Sequence, residues 1–139
     1  MTTGTWKNAE PAYGYNAHLK MGFDAAKARI TAALAEQGFG VLTEIDVKAT
    51  LKKKLGEDVR PYAILGACNP ALAHRALAAD PGVGLLLPCN VCLWEEDGGT
   101  AVSIARPDTM FAIVGNPAVA PIAEEAAARL QKALAAAAT

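Results

Sequence analysis

The sequence predicts an α+β domain: one mostly antiparallel sheet of about five strands, with helices packed on one face. Three observations predict it. Stretches that alternate with period two interleave with stretches that repeat every three to four residues, in the order β-α-β-α-β-α-β-β-α. Asp97-Gly98-Gly99, set between two apolar runs, marks a hairpin, so the last two strands are antiparallel neighbours. Finally, 31 of the 139 residues are alanine, small enough to let helices lie close on a sheet, which leaves the larger apolar residues to carry the core.

Each element follows in order. Residues 1–11 lack periodicity and read as a flexible arm, which leaves 12–139 as a single domain. From Tyr13 to Leu19 apolar and polar residues alternate, a half-buried strand with His18 on the polar side. Phe23 to Gln37 is helical, with Phe23, Ala26, Ile30, Ala33, Leu34 and Gln37 on one stripe, and Gly38 closes it. Phe39 to Ile45 alternates again as the second strand. Asp46 caps a helix over Val47 to Leu55, whose apolar seam is Val47, Leu51 and Leu55 and whose stop is Gly56. Tyr62 to Ala67 is a short buried strand. Asn69 and Pro70 suit the cap and first residue of a third helix, running to Ala79 with Leu72, Ala73, Ala76 and Leu77 inward. Val83 to Leu87 reads as a strand interrupted by Pro88 and resumed from Asn90 to Glu96; proline inside a strand marks an edge or a bulge. Thr100 to Ala105 returns from the hairpin, Asp108 to Val114 is a short helix, and Val119 to Ala136 is a final alanine-rich one.

Composition excludes several classes of function. With 53% hydrophobic and 19% charged residues, the chain has the makings of a core rather than of a disordered segment. A net charge of −1 and no basic stripe argue against a nucleic-acid partner; Lys52-Lys53-Lys54 is offset by Asp46, Glu57 and Asp58. No apolar run reaches about 18 residues, so no membrane span is expected, and the first ten residues lack a signal-peptide core. Three cysteines are too few, and odd in number, for a secreted disulfide scaffold. The reducing cytoplasm is the expected compartment.

Chemistry concentrates at two places. In Gly66-Ala67-Cys68-Asn69-Pro70 a cysteine stands where a strand meets a helix, beside free backbone N–H groups that favour a thiolate. The same position suits a small buried hydrophobe. In Leu87-Pro88-Cys89-Asn90-Val91-Cys92 a second Cys-Asn step follows a proline. Cys89 and Cys92 form a C-x-x-C pair, but within strand-like residues, where they would face opposite sides of the sheet. A structural zinc needs four ligands, and Cys68, His18 and His74 do not stand at ligand spacing, so no metal is expected from spacing alone. His74, Glu95, Glu96 and Asp97 read as solvated surface, and Trp94 as core.

Gly38-Phe39-Gly40-Val41-Leu42-Thr43-Glu44-Ile45-Asp46, Gly66-Ala67-Cys68-Asn69-Pro70 and Leu86-Leu87-Pro88-Cys89-Asn90-Val91 resemble the DUF302 family of small bacterial proteins. The resemblance spans about Tyr13 to Leu134. It implies a curved antiparallel sheet backed by helices, similar to the TATA-binding-protein fold, and a homodimer. It implies no activity, since the family is one of unknown function. Cys68 and Cys89 fall on the family's Cys-Asn motifs and are carried over as site residues. Cys92 departs from the pattern, where valine is usual.

The leading expectation is a binding module in which Cys68, Asn69, Pro88, Cys89 and Asn90 line one pocket for a small or thiol-reactive ligand. The first alternative is a redox or sulfur-transfer enzyme with Cys68 or Cys89 as a low-pKa thiolate and the other as its resolving cysteine. The second is metal or haem ligation by the same two sulfurs. A homodimer is also expected from the apolar runs Val83–Leu87 and Asn90–Trp94, read as an exposed edge that a second copy would cover.

Overall fold

A computed structural model describes residues 6–139. Five strands form one antiparallel sheet: β1 (Gly14–Leu19), β2 (Gly40–Asp46), β3 (Tyr62–Cys68), β4 (Cys89–Glu96) and β5 (Gly99–Ala105), in the spatial order β1-β5-β4-β3-β2. The helices are α1 (Phe23–Glu36), α2 (Val47–Leu55), α3 (Pro70–Ala79), α4 (Pro107–Met110) and α5 (Ala120–Ala138), with 3-10 turns at Pro81–Leu86 and Phe111–Val114. Fold class and element order are those the sequence predicts.

Local chemistry explains the joints. Gly38 ends α1 at φ +80°, a left-handed conformation that glycine adopts without strain. Asp46 accepts a hydrogen bond from the Ala49 N–H at 2.9 Å and caps α2, while Gly56, at φ 70°, closes it. Asp97 and Gly98 both have positive φ, the geometry of a type I′ hairpin turn between β4 and β5.

The core lies between one sheet face and the helices. Leu65, Val91, Leu93, Val102 and Ile104 rise from β3, β4 and β5 to meet Ile30 and Leu34 of α1 and Leu130 and Leu134 of α5. On α5, Ala123, Ala126, Ala127, Ala133 and Ala137 are buried as well, so the helix sits close to its neighbours. Beyond the sheet edge, Tyr15 of β1 donates a hydrogen bond to Asp108 of α4 at 3.1 Å, and the Arg106 guanidinium holds that carboxyl below the usual carboxylate range.

Seven expectations need correcting. Val83–Leu87 is not a strand: Asp80 accepts from the Gly82 N–H at 2.9 Å, Pro81 fixes the first residue, and the chain coils into a 3-10 turn that buries Val83 and leaves Leu85 92% exposed. Pro88 accordingly interrupts nothing; it precedes β4, which lies in the middle of the sheet between β5 and β3. The edge argument for a homodimer therefore fails at this place. The true edges are β1 and β2, and on β2 the register shifts between Val41 and Thr43, which breaks the expected alternation and leaves Leu42 and Ile45 exposed. The seam of α2 is not buried: this helix packs against β2 and β3 without burying any of its residues, and Leu55 is exposed. Leu77 of α3 likewise faces out. Trp94 is buried, but on the sheet face opposite the core, because the adjacent Leu93 takes the core side.

On that opposite face Trp94 stacks on Tyr62 with centroids 5.5 Å apart, and Trp6 meets Tyr62 edge-on at 5.7 Å. The arm expected over residues 1–11 lies partly outside the described residues. Within 6–11, Arg60 donates to the Trp6 carbonyl and to Asn8, and Asn8 donates to Asp97 at 3.3 Å.

Candidate functional site

The antiparallel register of β3 and β4 sets Ala67 opposite Cys89. Cys68 is the next residue along, the last of β3 before the chain turns into α3. Two cysteines 21 positions apart in sequence thus become neighbours across adjacent strands. Both line one cavity of about 40 Å³ between the sheet end, α3 and α5. A water molecule needs roughly 10–15 Å³ of such space, so the cavity admits a ligand of very few heavy atoms, and a porphyrin has no room in it.

The walls are apolar. Phe39, Leu72, Leu87, Phe111 and Ile122 supply the bulk, while Ala73 and Ala123 leave the space open. These residues escape a sequence reading because they come from five separate elements and each looks like ordinary core; no spacing links them. Apart from the two cysteines, Asn69 is the polar residue of the lining. It is buried, and its Oδ1 accepts from the Leu72 N–H at 3.2 Å, so the cap expected for α3 is formed. Its Nδ2 lies beside Gly38, 2.9 Å from where a Cβ on that glycine would stand, with an Arg129 guanidinium nitrogen 3.7 Å from the same point.

Cys68, Asn69 and Cys89 therefore line one cavity, whereas Pro88 and Asn90 do not. Asn90 pairs with Gly66 and is exposed on the far face, as it must be when its neighbour Cys89 points inward. Pro88 packs its ring against Gly66: a Cβ there would stand 2.7 Å from Pro88 Cγ.

The two thiols differ. Cys68 is half-buried at the cavity rim; Cys89 is buried at its base. Burial pushes the Cys89 thiol up to about 11, and a charge on Cys68 pushes in the same direction. Cys92 lies on the opposite face, half-buried, where burial raises its thiol and the Tyr62 hydroxyl, donating toward its sulfur, works the other way. The C-x-x-C pair is thus divided by the sheet. His18, exposed on β1, contacts the Glu96 carbonyl at 2.8 Å, and His74 is exposed on α3; neither approaches the cavity lining.

The pattern of a domain of unknown function, DUF302, matches residues 15–137. The chain belongs to the DUF302 family. Among solved structures, this DUF302 protein is similar to an uncharacterised conserved DUF302 protein from Bacillus stearothermophilus. The two share 31% identity with a TM-score of 0.84, over 91% of this chain and 98% of the other. No curated protein matches it. Among the described residues no helix is long and apolar enough to cross a membrane.

Proposed function

We propose that this DUF302 protein is a binding module whose cavity takes a small, thiol-reactive ligand at Cys68 and Cys89. The observation that supports it most is that the two Cys-Asn motifs, far apart in sequence, bring Cys68 and Cys89 into the lining of one apolar cavity. Apolar walls with very few polar groups are the usual lining of a small-ligand site. The redox alternative asks for a depressed thiol pKa, and burial drives Cys89 the opposite way.

The reading is tested by alkylating the native protein with iodoacetamide and locating the modified cysteines by mass spectrometry. Cys68 is expected to react through the cavity mouth. Ala73→Leu, at a half-exposed helix position that tolerates the larger side chain, fills the space. It is expected to slow Cys68 modification about tenfold and to leave Cys92 unchanged. Equal rates in both proteins would mean that the cavity does not govern access.

The homodimer is a second proposal, now placed on β2. Its free ladder edge carries Leu42 and Ile45, 67% and 50% exposed, and a bare apolar edge is a surface that proteins cover. Light scattering should give twice 14.4 kDa at micromolar concentration. The double variant Leu42→Lys, Ile45→Lys should return the monomer mass. A wild-type mass of 14.4 kDa at every concentration rejects the dimer.

A further inference from the structure

We infer that the sheet face opposite the core carries a second site, for a single-ring aromatic carboxylate, built on Arg60 and the rings of Trp6, Tyr62 and Trp94. A hollow of about 120 Å³ lies there, lined by Trp6, Lys7, Ala9, Arg60, Tyr62 and Trp94. It shares no residue with the cysteine cavity, so the site stands without that reading.

Three observations set the class of ligand. The first is size. An engineered cavity of about 150 Å³ takes up benzene, so this hollow suits one ring and is too small for a nucleotide. The second is the walls. Trp94 stacks on Tyr62 with centroids 5.5 Å apart, and Trp6 stands edge-on to Tyr62 at 5.7 Å. A planar guest finds here the stacked and edge contacts that aromatic groups make with one another.

The third is charge. Three rings by themselves would suit a cation, but the charged groups of this lining are Lys7 and Arg60, with no carboxylate beside them. Neither is ion-paired among the described residues. Glu96 accepts from the Trp94 Nε1 at 2.7 Å and Asp97 from Asn8 at 3.3 Å; both line the neighbouring hollow, not this one. A guanidinium has five N–H donors. Arg60 spends three on neutral oxygens: Nη1 on Asn8 Oδ1 and on the Glu95 carbonyl, each at 3.2 Å, and Nη2 on the Trp6 carbonyl. Its Nε is buried without a partner. The charge is thus neutralised by no acid and one donor meets no acceptor, and a carboxylate supplies both. Because Nε is enclosed and Trp6 and Asn8 hold the guanidinium, the arm at Trp6–Asn8 eases outward for the carboxylate to reach it.

Both tryptophans of the chain line the hollow, so all tryptophan emission reports on it. Benzoate titrated into the wild-type protein is expected to change that emission saturably, with a Kd of about 1 mM or tighter. Benzamide, the neutral analogue, and benzylamine, a cation at neutral pH, should each bind about tenfold more weakly or worse. Trp6→Ala and Arg60→Gln should each weaken benzoate about tenfold, and Lys7→Gln about threefold. Ala73→Leu, altered in the cysteine cavity, should leave it unchanged. Thermal melts by circular dichroism verify folding; Lys7 is exposed, so Lys7→Gln and the ligand series decide the matter even should Arg60→Gln unfold. Quenching by benzoate that never saturates, equal affinity for benzylamine, or a loss in Ala73→Leu as large as that in Trp6→Ala overturns the site. Alkylation of Cys68 reads the other cavity and is untouched by any of these results.

Discussion

Leu130→Ala is expected to lower the unfolding free energy by about 2–5 kcal/mol, the range for truncating a fully buried leucine. Leu130 is 0% exposed and stands midway along α5, facing the sheet and α1. The cost should fall toward the upper end for a reason specific to this helix. Five of its buried positions are alanine, and alanine has no rotamers with which to lean into a void. The space left by Leu130 therefore stays open, and the cavity term adds to the lost transfer energy. Leu85→Ala makes the same chemical change on a 3-10 turn where the side chain is 92% exposed, and surface changes of this kind stay within about 0.5 kcal/mol. Urea unfolding of the two variants measures the difference. Similar midpoints in both would mean that α5 does not carry the core.

That contrast also shows which parts of the fold could be read from the sequence. Elements with a period and a cap were legible: α1 with Ile30 and Leu34 on one stripe, α3 with Asn69 and Pro70 at its start, and the hairpin at Asp97-Gly98. The 3-10 turn at Pro81–Leu86 was not. Its residues are as apolar as a strand, and an apolar run carries no period to separate the two. What decides is the Asp80 cap on Gly82 and the two glycines, which favour coiling over extension. Edges were also hidden. Which strand lies outermost depends on the pairing of all five, and Pro88, a sound edge signal within a strand, stands just outside one.

The three motif segments that carry the family resemblance converge in space, but at two different points. Cys68, Asn69 and Cys89 gather at the cavity. Thr43, Gly66 and Pro88 gather on the other side of the sheet, where a Cβ on Gly66 would run into both the Thr43 hydroxyl and the Pro88 ring. Gly66 and Pro88 are therefore best understood as packing residues that let β2, β3 and the entry to β4 close up, and so hold the two cysteine-bearing strand ends in register. A motif read along the chain mixes these roles. The alternation of the strand separates them, since Cys89 and Asn90 must leave on opposite faces. Spacing alone did tell that Cys89 and Cys92 would be parted; it could not tell that Cys68 would join Cys89, because that depends on the β3–β4 register.

The buried thiol makes the stability of this protein fall in alkali. Cys89 has a folded-state pKa of about 11 against an ordinary value of 9.0, because burial penalises the thiolate. A group whose pKa is raised by folding holds its proton more tightly in the native state. Its contribution is therefore complete below the unfolded pKa and is lost as pH rises from about 9 through about 11. Two pKa units correspond to roughly 2–3 kcal/mol. Tyr62 and Cys92 are raised by burial too, so the wild-type curve alone sums several groups. The comparison that isolates Cys89 is the difference between wild type and Cys89→Ala, each unfolded in urea at intervals from pH 7.5 to 11.5 under reducing conditions. At pH 7.5 the variant should be the less stable, having lost the buried sulfur's packing. Above pH 9 the gap should shrink by about the same 2–3 kcal/mol and can change sign, because the alanine has no proton to lose. Cys92→Ala, altered on the opposite face, removes a different raised thiol and so measures that group's share of the alkaline fall. Curves for wild type and Cys89→Ala that run parallel across the whole range would show that Cys89 ionises as an ordinary thiol, and that the base of the cavity is open to water.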